Sequence, residues 1–142
     1  MAADSPPKPP SRGEGGVSFH ELPASHVLGK RAEDAAVALL MNDGYVILGR
    51  NVRVSRLEID VVARLGPVVA IVEVRTRGAG AWVKALDSLD WKKRARVRKA
   101  GEVLWRKRFK GDLTLERMRF DVVAVSFDER DEPHAEHVKA AF

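Results

Sequence analysis

The sequence predicts an α/β domain in which a mixed sheet is flanked by helices, and three observations carry that prediction. An amphipathic helical stretch comes first, three short β-branched runs follow it closely, and a strongly basic helical stretch then precedes one last β-branched run. With 142 residues, 45% of them hydrophobic and 32% charged, the chain has room for one domain with a real core and little for a second.

Residues 1 to 25 hold five of the seven prolines together with Gly13, Gly15 and Gly16. So few aliphatic side chains cannot offset the entropy of ordering, which predicts a disordered tail. From Leu28 to Asp43, Ala32, Ala35, Ala36, Leu39 and Leu40 recur at helical spacing, and Gly44 is placed to cap the helix. Tyr45 to Val54 reads as a first strand. Leu57 to Leu65 and Val68 to Arg77 read as a hairpin around Gly66-Pro67. A second helix is expected from a cap at Ser88 to Asp90 as far as Phe109, then a strand from Met118 to Phe127. The polar stretch after it, residues 129 to 142 with Pro133, is expected to be loose or to hold a short closing segment.

Glu58, Asp60 and Glu73 stand out because they lie inside the apolar hairpin runs, where an unpartnered acid is costly. With Leu65 facing Val68, Asp60 falls opposite Glu73 and Glu58 opposite Arg75, all on one face, while Ile59, Val61, Val72 and Val74 take the other. Two opposed carboxylates repel, and a divalent cation between them resolves the repulsion; oxygen donors suit Mg2+ or Mn2+. The alternative is a Glu58–Arg75 ion pair with Asp60 and Glu73 solvated on an open face.

A formal charge of +5 and a pI near 9.8 favour an anionic partner, nucleic acid first, DNA in particular. Between Lys92 and Lys110, ten basic residues face the single acid Glu102. One-sided charge of this kind destabilises an isolated helix and asks for phosphates, so Lys92, Lys93, Arg94, Arg96, Arg98 and Lys99 are the candidate nucleic-acid-binding residues; the alternative is a solvated face. Trp91 and Trp105 read as core or boundary anchors before base-stacking platforms. His134 and His137, three apart and without further ligands, read as solvent-exposed. Asp121, in the last strand, reads as a structural hydrogen-bonding acid before a partner of the site. Without cysteine there are no disulfides or thiolate sites. No transmembrane run or signal peptide is visible, which makes a cytoplasmic protein without membrane attachment the expectation.

Gly29-Lys30-Arg31-Ala32-Glu33, Gly44 to Asn51, Leu57-Glu58-Ile59-Asp60, Val72 to Arg77, Lys92-Lys93-Arg94 and Arg119 to Val123 together resemble the YraN-like, endonuclease-related family. The likeness covers about residues 28 to 127. It implies a PD-(D/E)xK nuclease with a restriction-endonuclease-like sheet, similar to Holliday junction resolvases, over residues 26 to 128. It further implies Mg2+ or Mn2+ held by Asp60, Glu73 and the Val74 carbonyl, Glu33 as accessory acid on the first helix, and Arg75 at the position of the superfamily lysine. Two departures matter. Leu57 replaces a glycine, and Arg75 stays protonated at ordinary pH, so it serves as a phosphate contact and not as a general base.

The expected function is therefore metal-dependent hydrolysis of phosphodiesters in structured or branched DNA, with Glu33, Asp60, Glu73 and Arg75 as the catalytic set. Its alternative is an inactive nucleic-acid-binding protein or accessory subunit on the same fold, and a third reading is an interaction protein that turns its basic face to an acidic partner. Resolvases of this kind generally act as dimers, so a homodimer is a further expectation of the resemblance, though no heptad marks a self-pairing surface.

Overall fold

The computed structural model describes residues 24–77 and 91–142. The expected tail lies outside these residues except for its last two, and so does the proposed cap at Ser88 to Asp90. Helix α1 spans Ala24–Asn42 and ends as its sequence dictates. Gly44 adopts φ +92°, its N–H bonds to the Met41 carbonyl, and the Tyr45 N–H reaches back to Leu40, a Schellman cap that only a residue tolerant of positive φ makes without strain.

Five strands follow in the sheet order β1-β2-β3-β4-β5: β1 Val46–Val54, β2 Leu57–Leu65, β3 Val68–Arg77, β4 Arg117–Phe127 and β5 Pro133–Val138. Only β3 and β4 run parallel, in register from Val68 with Arg117 to Arg77 with Ser126. A parallel pair needs a crossover. Helix α2, Trp91–Leu104, lies in that connection and continues into a wider π-helical turn over Trp105–Phe109.

The two helices cover opposite faces. Ala32, Ala36 and Leu40 of α1 pack on Tyr45, Val61, Ala63, Val72 and Val123, whereas Val97, Ala100 and Leu104 of α2 pack on Ile59, Val62, Val69, Ile71 and Phe120. Burial on both faces explains why β3 is apolar from Val68 to Val72 without alternation. This is the mixed sheet with flanking helices that the sequence predicts, in a restriction-endonuclease-like arrangement.

Of the two expectations for the residues after 128, the short closing segment is the one the structure holds. Val122 to Phe127 of β4 pair antiparallel with β5, and Pro133 occupies the first residue of that edge strand, where its missing N–H costs no ladder bond. Phe142 then packs on Phe120 with ring centroids 5.5 Å apart, so the polar end of the chain completes the sheet. Trp91 departs from expectation: it is 74% exposed, whereas Trp105 packs beside Phe109 as expected.

Gly101 sets how closely α2 approaches the sheet, because a Cβ there would lie 2.7 Å from Cε1 of Phe120. Gly101→Val is expected to push α2 off β4 and to destabilise the domain by about 2 kcal/mol, the usual cost of overpacking, read as a lower midpoint in urea unfolding.

Candidate functional site

The hairpin register runs as expected from Leu65 opposite Val68 to Val61 opposite Val72, and there the paired ladder ends. The next residue, Asp60, turns its carboxylate to the parted strand: Oδ2 accepts the Val74 N–H at 2.8 Å. Glu58 consequently does not meet Arg75. It pairs with Arg53 of β1 instead, and its carboxylate lies 3.9 Å from the Arg53 Nε.

The face alternation also breaks at this point. Ile59 packs among the residues under α2, while Val61, two residues on, packs under α1, so Ile59 does not share a face with Val61, Val72 and Val74. Strand β1 turns over at the same level, between Arg50, opposite Val61, and Val52, opposite Ile59. Asn51, at φ +49°, supplies the left-handed residue that this needs, a conformation that Asn tolerates better than most.

Asp60 and Glu73 are brought together at this parting. The Asp60 carboxyl is pushed up to about 7 by burial and then by the charge of Glu73, against the opposing Val74 N–H and Lys93. Glu73 is 2% exposed. Its Oε1 takes Lys93 Nζ at 2.6 Å and has Arg75 Nε at 3.7 Å. That second separation is an ion pair and not a hydrogen bond, since the buried Arg75 Nε has no hydrogen-bond partner. Val74 presents its N–H toward Asp60, and a strand residue turns its carbonyl to the same side, so the carbonyl opens on the same gap.

Glu33 reaches the same place from α1. A cleft of about 810 Å³ is bounded by Glu33, Arg50, Asn51, Glu58, Asp60 and Val74. Within it Glu33 Oε1 accepts from Arg50 Nε at 2.8 Å and from Asn51 Nδ2 at 3.1 Å. Arg50 and Asn51 thus orient the acid, and neither stands out by residue type alone. The signal is that Gly49, Arg50 and Asn51 are poor strand formers set in the middle of β1. Lys93 is the second role that composition conceals: among many basic residues of α2, it is the one joined to Glu73.

Lys92, Arg96, Arg98 and Lys99 lie exposed along α2, and Lys93 and Arg94 are half-buried. The Arg98 guanidinium sits 5.4 Å from the centroid of the Phe120 ring.

Asp121 is fully buried away from this cleft and holds a separate network. Its carboxylate accepts from Arg119 Nε and Nη2 at 2.8 Å each and from the Ala140 N–H at 2.9 Å, and it bonds His137 Nε2 at 2.8 Å; Arg119 Nη2 also donates to the Tyr45 hydroxyl. His137, expected in solvent, has a side chain only 6% exposed, because β5 places it against Asp121 and the ring of Tyr45. His134 is the exposed one and pairs with Asp128. Among the described residues no three His, Asp or Glu side chains converge as a ready-made metal cage, and no helix is long and apolar enough to cross a membrane.

Fold and site together define a small α/β protein that carries a half-buried Asp60 beside a buried Glu73 at the parted end of a mixed sheet, next to a basic helix. The chain belongs to the uncharacterised protein family UPF0102, whose pattern matches residues 32–125. It is 60% identical over 119 residues to a UPF0102 protein of Sorangium cellulosum, covering 84% of this chain and 83% of that protein. UPF0102 proteins of Anaeromyxobacter dehalogenans and Geobacter sulfurreducens are 42% and 41% identical over 116 and 117 residues, covering 81% and 82% of this chain and 83% and 88% of theirs.

Proposed function

We propose that this protein is a metal-dependent endonuclease that hydrolyses phosphodiesters in structured DNA. The observation that carries the reading is the Asp60–Glu73 pair: a half-buried carboxyl beside a buried one, where the first is driven toward neutrality. A fold that retains such a costly arrangement has a use for it, and perturbed acids in a cleft mark functional sites more often than chance. The donor set fits Mg2+ or Mn2+. Two carboxylates and one carbonyl fall short of a full cage, and Mg2+ is commonly held by one or two carboxylates together with substrate phosphates. Asp60, Glu73 and the Val74 carbonyl would hold the ion, which when bound supplies a water of lowered pKa and neutralises phosphate charge.

The chain's own residues do the rest. Arg75 lies beside Glu73 with its side chain partly exposed, and the accessible part of its guanidinium offers a phosphate a charge-assisted contact. Glu33, fixed by Arg50 and Asn51, forms the facing wall. Asp60 gives up its proton when a cation binds, so cation affinity rises as pH approaches about 7 and levels off above it.

Lys92, Arg96, Arg98 and Lys99 take the backbone. Contacts of this type read charge and shape and not base identity. Binding is expected to weaken steeply with salt, and neutralising Lys92, Arg96 and Arg98 should flatten the slope of log affinity against log salt by about one per residue. The test is cleavage of a panel of junctions, flaps and duplexes with Mg2+ and with chelator, alongside affinity measured across salt concentrations. Cleavage of a structured member only with Mg2+ supports the proposal; affinity that stays flat across salt contradicts it.

One observation favours a second reading, an inactive nucleic-acid-binding protein. Lys93 already neutralises Glu73 at 2.6 Å, as a built-in cation would. Binding indifferent to Mg2+, with no member of the panel cut, selects that reading.

A further inference from the structure

A second hollow, about 310 Å³ in volume, lies between the β1–β2 turn and α2. Val54, Leu57 and Val103 supply apolar lining, and Arg56, Arg96 and Lys99 supply charge. All three cations are exposed, and none forms an ion pair or a hydrogen bond with a described residue. The turn that presents Arg56 is a tight one, with Ser55 at φ +58°. Apolar lining beside unopposed positive charge asks for a ligand that is flat and apolar on one side and anionic on the other. A nucleotide has that character, and the volume matches the smallest cavities that hold small ligands, about 300 Å³.

Its position is as informative as its lining. Leu57 precedes Asp60 by three residues of β2, about 10 Å at strand rise. On α2, Arg96 and Lys99 follow the Glu73 partner Lys93 by about one and two turns. The hollow therefore opens within the span of about three nucleotides of the carboxylate pair.

We infer that this hollow is a binding site for a single unpaired nucleotide flanking the phosphodiester at Asp60 and Glu73, with its phosphate on Arg56, Arg96 and Lys99 and its base against Val54, Leu57 and Val103. The inference rests on the nuclease reading for the identity of the strand that passes through. A paired base cannot leave its stack to enter the hollow without cost, so the site favours DNA that already has an unpaired nucleotide. Structure-selective binding then has a local cause, one that a uniform basic face would not provide.

The test is metal-free fluorescence anisotropy with two duplexes of the same sequence, one blunt and one with a short single-stranded overhang, so that no outcome depends on cleavage. The wild-type protein should prefer the overhang by about tenfold. In Arg56→Gln and in Val103→Phe, which removes charge in one case and fills the hollow in the other, the ratio should fall close to one. Arg56 lies on an exposed turn, so its variant keeps the test valid even if Val103→Phe folds poorly. Equal wild-type affinity for the two duplexes overturns the inference and leaves the nuclease reading standing; failure to bind either overturns both. A preference that survives in both variants places the selective contact elsewhere and also overturns it. Adenosine monophosphate should compete away only the overhang preference, weakly; if it binds as tightly as the overhang duplex, the hollow serves a free nucleotide and the flanking-strand inference falls.

Discussion

Under the nuclease function proposed above, Asp60→Asn is expected to lower Mg2+-dependent cleavage by about a thousandfold or more and, in the same protein, to raise stability at pH 8. The first effect follows from losing an anionic ligand where the ion is asked to supply several kcal/mol of transition-state stabilisation. The second follows from the cost of the pair. In the fold the Asp60 carboxyl is held up to about 7, mainly by burial and then by Glu73, against an ordinary value of 3.8. Between about pH 4 and pH 7 the folded chain keeps a proton that the unfolded chain has released, so this group's contribution to stability falls as pH rises through that window. Asparagine never ionises, and its side-chain oxygen still accepts the Val74 N–H. The difference in unfolding free energy between variant and wild type should therefore grow from pH 4 to pH 7 in favour of the variant and level off above. A variant no more stable than wild type at pH 8 would mean that the two acids do not repel as described.

Asp121→Ala should cost about 3 to 5 kcal/mol, the range for breaking a buried ion pair from one side. Removal leaves the Arg119 guanidinium without its bidentate partner and strands His137 and the Ala140 N–H, which tie β5 and the chain end to β4. A domain of ordinary stability, about 5 to 15 kcal/mol, loses a large fraction of it, visible as a much lower urea midpoint. The acid also shapes the low-pH limit. Burial alone would raise the Asp121 carboxyl, but bonds from His137, Arg119 and Ala140 more than offset it and hold it down at about 2. Its contribution is present above about pH 4 and disappears as pH falls toward 2, so wild type should lose more stability over that interval than the variant does.

These two acids differ in how far their sequence context discloses them. Asp60 and Glu73 sit in apolar runs around a Gly-Pro turn with Gly66 at φ +57°, and the period of two is enough to set them facing. What the period cannot carry is the interruption: the ladder stops at Val61 and Val72, so Asp60 bonds a backbone N–H and Glu58 goes to Arg53. The Asp121 network is hidden for a different reason. Strand β5 is polar, and its place in the sheet depends on side-chain partners 16 to 19 residues away and on Arg119. Periodicity does not register such contacts. Lys93 is obscured by its neighbours, since ten basic residues in one stretch look alike until the fold selects the one that meets Glu73.

The most direct test of the central claim is calorimetric titration of Mn2+ into the wild-type protein and into the Asp60→Asn, Glu73→Gln double variant, with a short DNA duplex present, at pH 6 and pH 8. Saturable binding is expected in wild type, tighter at pH 8 than at pH 6 and accompanied by proton release mainly at pH 6, and none in the double variant. Equal binding in the two proteins, or none in either, would contradict the assignment of the carboxylate pair as a metal centre.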